Sequence, residues 1–187
     1  METKIIKDPI IKNDLIFDGK VIFKNDVEII GNLKVKEAVC EGSLEVKGSI
    51  EVENYIEVRS AIIAGTFIKV ENFIKVGDSI KAGSFIKVGT YIKAETSIEA
   101  EHYIKAKYTI KAGTFIKSGN CIKAGNCIEA ETFIIAGYYI AAGYYIAAGT
   151  YIKAGTYIKA ETYIKVGTYI KAGDSIKAGT YIKAGTY

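Results

Sequence analysis

Residues 149–172 read GTYIKAGTYIKAETYIKVGTYIKA, one six-residue unit written four times with two changes. The same beat extends over nearly the whole chain. Isoleucine recurs every six residues from Ile50 through Ile56, Ile62 and Ile68 to Ile182 without a gap, and Leu44 stands in the same register. Nearer the N-terminus Leu15, Val21, Val27, Leu33 and Val39 are also six apart, after which Leu44 follows at five. Repetition at a fixed period dictates architecture more strongly than local propensity does.

The period discriminates between secondary structures. On an α-helix six residues advance about 600°, a net turn of about 240°, so successive isoleucines scatter over three sides and leave no apolar stripe. A strand accommodates an even period, but strands rarely exceed roughly 10 residues, far short of this repeat. What survives is a short strand and a turn, repeated, so that the chain coils into a solenoid. In the unit Thr156–Glu161, strand alternation puts Ile158 and Ala160 on one face and Tyr157 and Lys159 on the other. Ionised lysine cannot line a dry core, so Ile and Ala or Val point inward, and Tyr and Lys outward. The Gly or Glu and the Thr, Asn, Asp or Ser that follow suit a corner. Tyr108, Tyr138, Tyr144 and His102 in that corner position are too bulky for the interior of a narrow coil.

Three units per turn make an 18-residue coil, and the outward side chains support it. Ser43, Ala61, Ser79 and Ser97 are 18 apart, and Phe115, Phe133, Tyr151 and Tyr169 continue that column. The repeat over residues 15–187 amounts to 29 units, or nearly ten coils. At about 4.8 Å per stacked strand the rod is about 45 Å long. Residues 1–14 lack a clean repeat and are expected to serve as an N-terminal cap or arm. The expected fold is thus all-β, a single-stranded three-sided parallel β-helix, with its handedness open.

Composition narrows the function classes. The chain has 187 residues, no tryptophan and one proline, Pro9, and its net charge of +4 tolerates an anionic partner without demanding one. The start, METKIIKDPIIKN, shows no apolar signal core, and three cysteines (Cys40, Cys121, Cys127) do not make a disulfide framework. Both point to the cytoplasm, or to a part of a larger fibre. Phe133–Ile152 carries no charge and is long enough for a spanning helix, but its glycines keep the six-residue beat and its tyrosines are spread throughout, so no membrane span is expected.

The early units Gly31-Asn-Leu-Lys-Val35, Gly42-Ser-Leu-Glu-Val46 and Gly48-Ser-Ile-Glu-Val52 resemble the bactofilins, bacterial cytoskeletal proteins, over about residues 15–58. The resemblance implies a right-handed three-sided β-helix that joins end to end. From Gly65 onward the unit Ala-Gly-Thr-Tyr-Ile-Lys departs from that pattern. The hexapeptide acyltransferases share the period. Their unit follows the aliphatic residue with a small or acidic one, where Lys usually stands here, and this chain has no insertion loop to support a catalytic histidine.

Catalytic and metal motifs are sparse. His102, the single histidine, reads as a surface corner residue in place of Thr. Cys121 and Cys127 replace Tyr in consecutive units and fall on neighbouring faces, so they do not converge on a metal. Glu95, Glu131, Glu161 and Asp174 do not recur every 18 residues; Glu53 and Glu71 do, but Gly89 follows them, so no calcium ladder forms. No catalysis and no cofactor are expected.

Two surfaces remain as candidates. One is made of the outward aromatic ladders on the three faces and the charge-poor coil from Phe133 to Thr150, namely Phe133, Ile135, Tyr138, Tyr139, Tyr144, Tyr145, Tyr151, Tyr157, Tyr163, Tyr169 and Tyr181, suited to a glycan or an anionic surface. The other is the end of the rod at Ile176, Ile182 and Tyr187, where an open strand edge and a bare isoleucine column would meet another copy. The leading expectation is a structural protein that assembles end to end or forms a fibre shaft. The alternative is a binding module using the outward Tyr and Lys, with no specific nucleic-acid partner.

Overall fold

The structure, a computed structural model, describes residues 1–185. Its regular secondary structure consists of short β-strands, with no helix among the described residues. Ile68 lies opposite Ile50 and Ile86, Ile74 opposite Ile56 and Ile92, and Ile80 opposite Ile62 and Ile98, always in parallel register. From Ile50 upward each residue thus stacks on its equivalent 18 positions away, and three hexads complete one turn of a parallel β-solenoid.

Consecutive hexads occupy three walls. Taking the inward isoleucines, the first wall holds Ile50, Ile68 and Ile86 and continues through Ile158 to Ile176. The second holds Ile56, Ile74 and Ile92 and continues to Ile182. The third begins at Ile10–Ile11, runs through Leu44 and Ile62 to Ile170, and forms a ten-stranded sheet. The first two walls merge into one sheet because the strands Leu15–Phe23 and Leu33–Cys40 pass their shared corner without a break. Residues 1–14 contribute rungs as well. Thr3–Ile6 pairs with Lys20–Phe23, and Ile10–Ile11 pairs with Glu28–Ile29.

The interior is a dry column. Every Ile of the repeat from Ile50 to Ile164 is fully buried, and the Ala or Val two residues later is nearly so. Each large side chain so enclosed contributes about 1.5–3 kcal/mol. Ser118 is the one buried polar side chain among the described residues, in an Ala position, and its hydroxyl donates to the carbonyl of His102 at 2.6 Å. That bond removes the penalty of an unpaired hydroxyl.

One detail of the early repeat differs from expectation. Val39 is not a lining residue. Ala38 is fully enclosed, pairing with Val21 below and Ile56 above, while Val39 turns outward opposite Glu57. Only Lys36 and Glu37 separate the inward Val35 from Ala38, where a regular corner such as Glu71–Phe73 has three residues. The lost residue falls at a corner, so the walls on both sides keep their inward faces. Cys40 occupies the Val position of this unit. Burial, the main cause, pushes its thiol up to about 11.

The corners explain the Gly and Thr positions. Thr132, Thr150 and Thr168 each donate their hydroxyl to the carbonyl of the Thr one coil below, at 2.5–2.8 Å. On the other two corners Thr156 donates to the carbonyl of Tyr138, Thr162 to that of Tyr144 and Thr180 to that of Thr162, again one coil below. Backbone amides of the turn bond in the same direction, Gly89 to Val70 and Thr90 to Asn72. A Cβ added at Gly89 would collide with the carbonyl oxygen of Glu71, which those two amide bonds hold in place. Gly89→Ala is therefore expected to cost about 1–3 kcal/mol, measured as a lower urea midpoint at an unchanged slope. A midpoint equal to the parent's would mean that the turn relaxes freely.

Candidate functional site

The outward side chains form columns, because the stacking register repeats each position on the coil above. On the third wall Phe115, Phe133, Tyr151 and Tyr169 stack with ring centroids 4.7–5.1 Å apart and planes within 10°. On the second, Tyr145, Tyr163 and Tyr181 stack at 4.8 and 5.1 Å. On the first, Tyr139 and Tyr157 stack at 4.9 Å. Phe67, Phe85 and Tyr103, and Tyr55, Phe73 and Tyr91, repeat the pattern lower on the rod. The rings lie along the axis face to face, so their faces cover one another and their edges meet the solvent. That orientation was not readable from residue order. It follows from strand spacing, which matches the thickness of offset stacked rings.

Most column tyrosines are half-buried; Tyr169 and Tyr181, on the last described coils, are more open. Tyr138 and Tyr144 sit at corners and are 56% and 53% exposed. Each meets the following column tyrosine edge-on, Tyr138 with Tyr139 at 6.2 Å and Tyr144 with Tyr145 at 5.7 Å. Ile135, Ala141 and Ala147 occupy the usual lysine position in these units, so the structure gathers the uncharged residues 133–150 into one complete turn around the rod.

The electrostatics at the lower rim of this turn are local. Glu129 accepts a hydrogen bond from the Tyr145 hydroxyl and pairs with Lys111 at 2.9 Å. Its role was not anticipated, since the contact spans one coil. Tyr139 is pushed up to about 12, chiefly by burial and secondarily by the neighbouring Cys121. Cys121 lies in the ring column between Tyr103 and Tyr139, and Cys127 on the next wall between Thr109 and Tyr145. All three cysteines are free thiols.

His102 stands exposed at a corner, its Nδ1 3.5 Å from the Ser84 hydroxyl. No group of three or more His, Cys, Asp or Glu side chains converges to hold a metal ion among the described residues. No described helix is long and apolar enough to cross a membrane. At the upper coils Ile170 and Ile176 are half-buried and Ile182 is 45% exposed. Tyr187 lies outside the described residues.

Comparison of the chain with protein-family models, with curated proteins and with solved structures returns no match in any of the three.

Proposed function

We propose that the protein is a non-catalytic structural rod that assembles end to end into filaments or forms the shaft of a larger fibre. The observation that carries this reading is self-complementarity along the axis. From Ile50 to Val166 every rung stacks on its equivalent in the coil below, with no inserted loop. The surface that one coil offers upward is therefore the surface that the next coil accepts, and the same hydrogen bonds and isoleucine column serve a coil of this chain or of another copy. The bactofilin-like units between Gly31 and Val52 support the same reading, since that family joins end to end. His102 and the three cysteines take no part in it.

Negative-stain images and light scattering over a hundredfold range of concentration test the proposal. The expected result is rods of constant width whose length grows with concentration. A strict monomer throughout the range would count against it and favour a second reading, a surface-binding module. That reading is supported by the exposed Tyr138 and Tyr144 on an uncharged turn, an apolar exposure of a kind that marks contact surfaces. It predicts a monomer retained on an immobilised glycan.

A further inference from the structure

The outward lysines are not distributed alike on the three walls. On the third wall Lys81, Glu99 and Lys117 lie directly opposite one another, so charge alternates from rung to rung. On the second, Lys75, Lys93 and Lys111 also stand opposite one another, but Lys93 pairs with Glu95 at 2.8 Å and Lys111 with Glu129 at 2.9 Å, and these lysines hold the Glu95 carboxyl below its ordinary range, Lys93 foremost. On the first wall Lys69, Lys87, Lys105 and Lys123 stand opposite one another on four consecutive rungs. Lys69 reaches Glu71 at 3.5 Å, and Lys87, Lys105 and Lys123 have no ion pair among the described residues.

The flanking columns contain no acid beside those three. On one side are Phe85, Tyr103 and Cys121, with Ser84, His102 and Asn120 beyond them and Glu101 past that corner; on the other are Gly89, Lys107 and Gly125, with Thr90, Tyr108 and Asn126 beyond. Lys107 lies over the Tyr108 ring at 5.3 Å and adds a fourth unpaired cation. Like charges about 4.8 Å apart lie well inside the screening length of physiological salt, about 8 Å, so the ladder repels itself. Its uncharged or cationic borders leave that repulsion uncompensated within the molecule. An external line of negative charge would relieve it.

We infer that this ladder binds a linear carboxylated polysaccharide, a polyuronate, laid along the rod with its carboxylates against successive lysines. Lysine is a compact point charge suited to carboxylates spaced along a line. The planar fork that grips a single carboxylate or phosphate bidentately is nearly missing, since Arg59 is the sole arginine, so the wall suits a row of single charges. The ring faces beside the ladder are stacked on one another, Phe67 on Phe85 and Phe85 on Tyr103, and so offer no platform for bases. Their edges bring the Tyr103 hydroxyl to the same wall. This surface is independent of end-to-end assembly and would serve a monomer equally.

The test is binding of the full chain to polygalacturonate, with dextran and single-stranded DNA as parallel probes. Polygalacturonate is expected to bind at 50 mM salt and to weaken by about tenfold or more at 200 mM, as a multi-cation contact requires. The double variant Lys87→Glu/Lys123→Glu is expected to bind at least about tenfold more weakly. It should melt no lower than the parent, because it creates the alternation seen on the third wall. Lys153→Glu/Lys183→Glu makes the same change in net charge on other walls and is expected to leave binding within twofold. Absence of binding at 50 mM salt would overturn the inference. So would equal weakening by both variants, which would reduce it to net charge. Equal affinity for dextran, or tighter binding of the DNA, would assign the wall to a different partner.

Discussion

An Ile110→Asp variant is expected to lose the cooperative unfolding transition of the parent rod. Ile110 is fully buried, stacked between Ile92 and Ile128 on the second wall. Removing it forfeits about 1.5–3 kcal/mol of burial. The carboxylate put in its place meets only aliphatic neighbours, and an unpaired buried charge costs several kcal/mol more. Together these approach the whole stability of an ordinary domain, about 5–15 kcal/mol. Because each coil touches only the coils next to it, the damage begins at the coils holding residues 92 to 128 and spreads outward. Lys87→Asp, an exposed change without an ion pair to break, is expected to stay within about 0.5 kcal/mol of the parent. Circular dichroism melts of the two proteins make the comparison. A melt for Ile110→Asp within a few degrees of the parent would mean that the isoleucines do not line a dry interior.

The wall structure was legible because one residue type marks one position. Isoleucine at every sixth residue excludes helix, and alternation alone then assigns the inward and outward faces. The small residues Ser43, Ala61, Ser79 and Ser97, 18 apart and continued by aromatics from Phe115 to Tyr169, pointed to three walls. The misassigned Val39 shows where such reading fails. Valine is the better lining residue by type, and it kept the six-residue count from Leu33. The backbone instead shortens the corner at Lys36–Glu37, enclosing Ala38 and Cys40. Nothing in side-chain hydrophobicity signals a shortened turn, since the pairing partners Val21 and Ile56 decide the register. The candidate surfaces were legible as columns but not as chemistry. An 18-residue coil places Tyr139 below Tyr157, yet only the stacked geometry shows rings turned edge-out and lysines without acids beside them. Glu129 was invisible for the same reason. Its contacts with Lys111 and Tyr145 cross from coil to coil, at sequence separations that mean nothing until the length of the turn is known.

Excising 18 residues is expected to harm the rod less than excising three. Deletion of residues 104–121 joins Tyr103 to Ile122 and brings Ile122 above Ile86, one isoleucine replacing another in the same column. Every wall keeps its strand, every corner its length, and the chain loses one coil of about ten. The far-UV spectrum per residue is expected to stay the same, and the urea slope to fall by about a tenth with the surface removed. Deletion of residues 113–115 removes far less chain but takes the whole corner between Ala112 and Ile116. The corner at Lys36–Glu37 shows that a turn can give up one residue; it cannot give up all three, because the last inward residue of one wall would then be bonded directly to the next position of another wall, with no residue left to turn the chain. The following strands must either leave their ladders or turn their isoleucines outward, exposing Ile116 and Ile122 and those they cover, at about 1.5–3 kcal/mol each. Loss of the cooperative melt is expected for the three-residue deletion and its retention for the 18-residue one. The reverse order of stability would show that the chain does not count in coils.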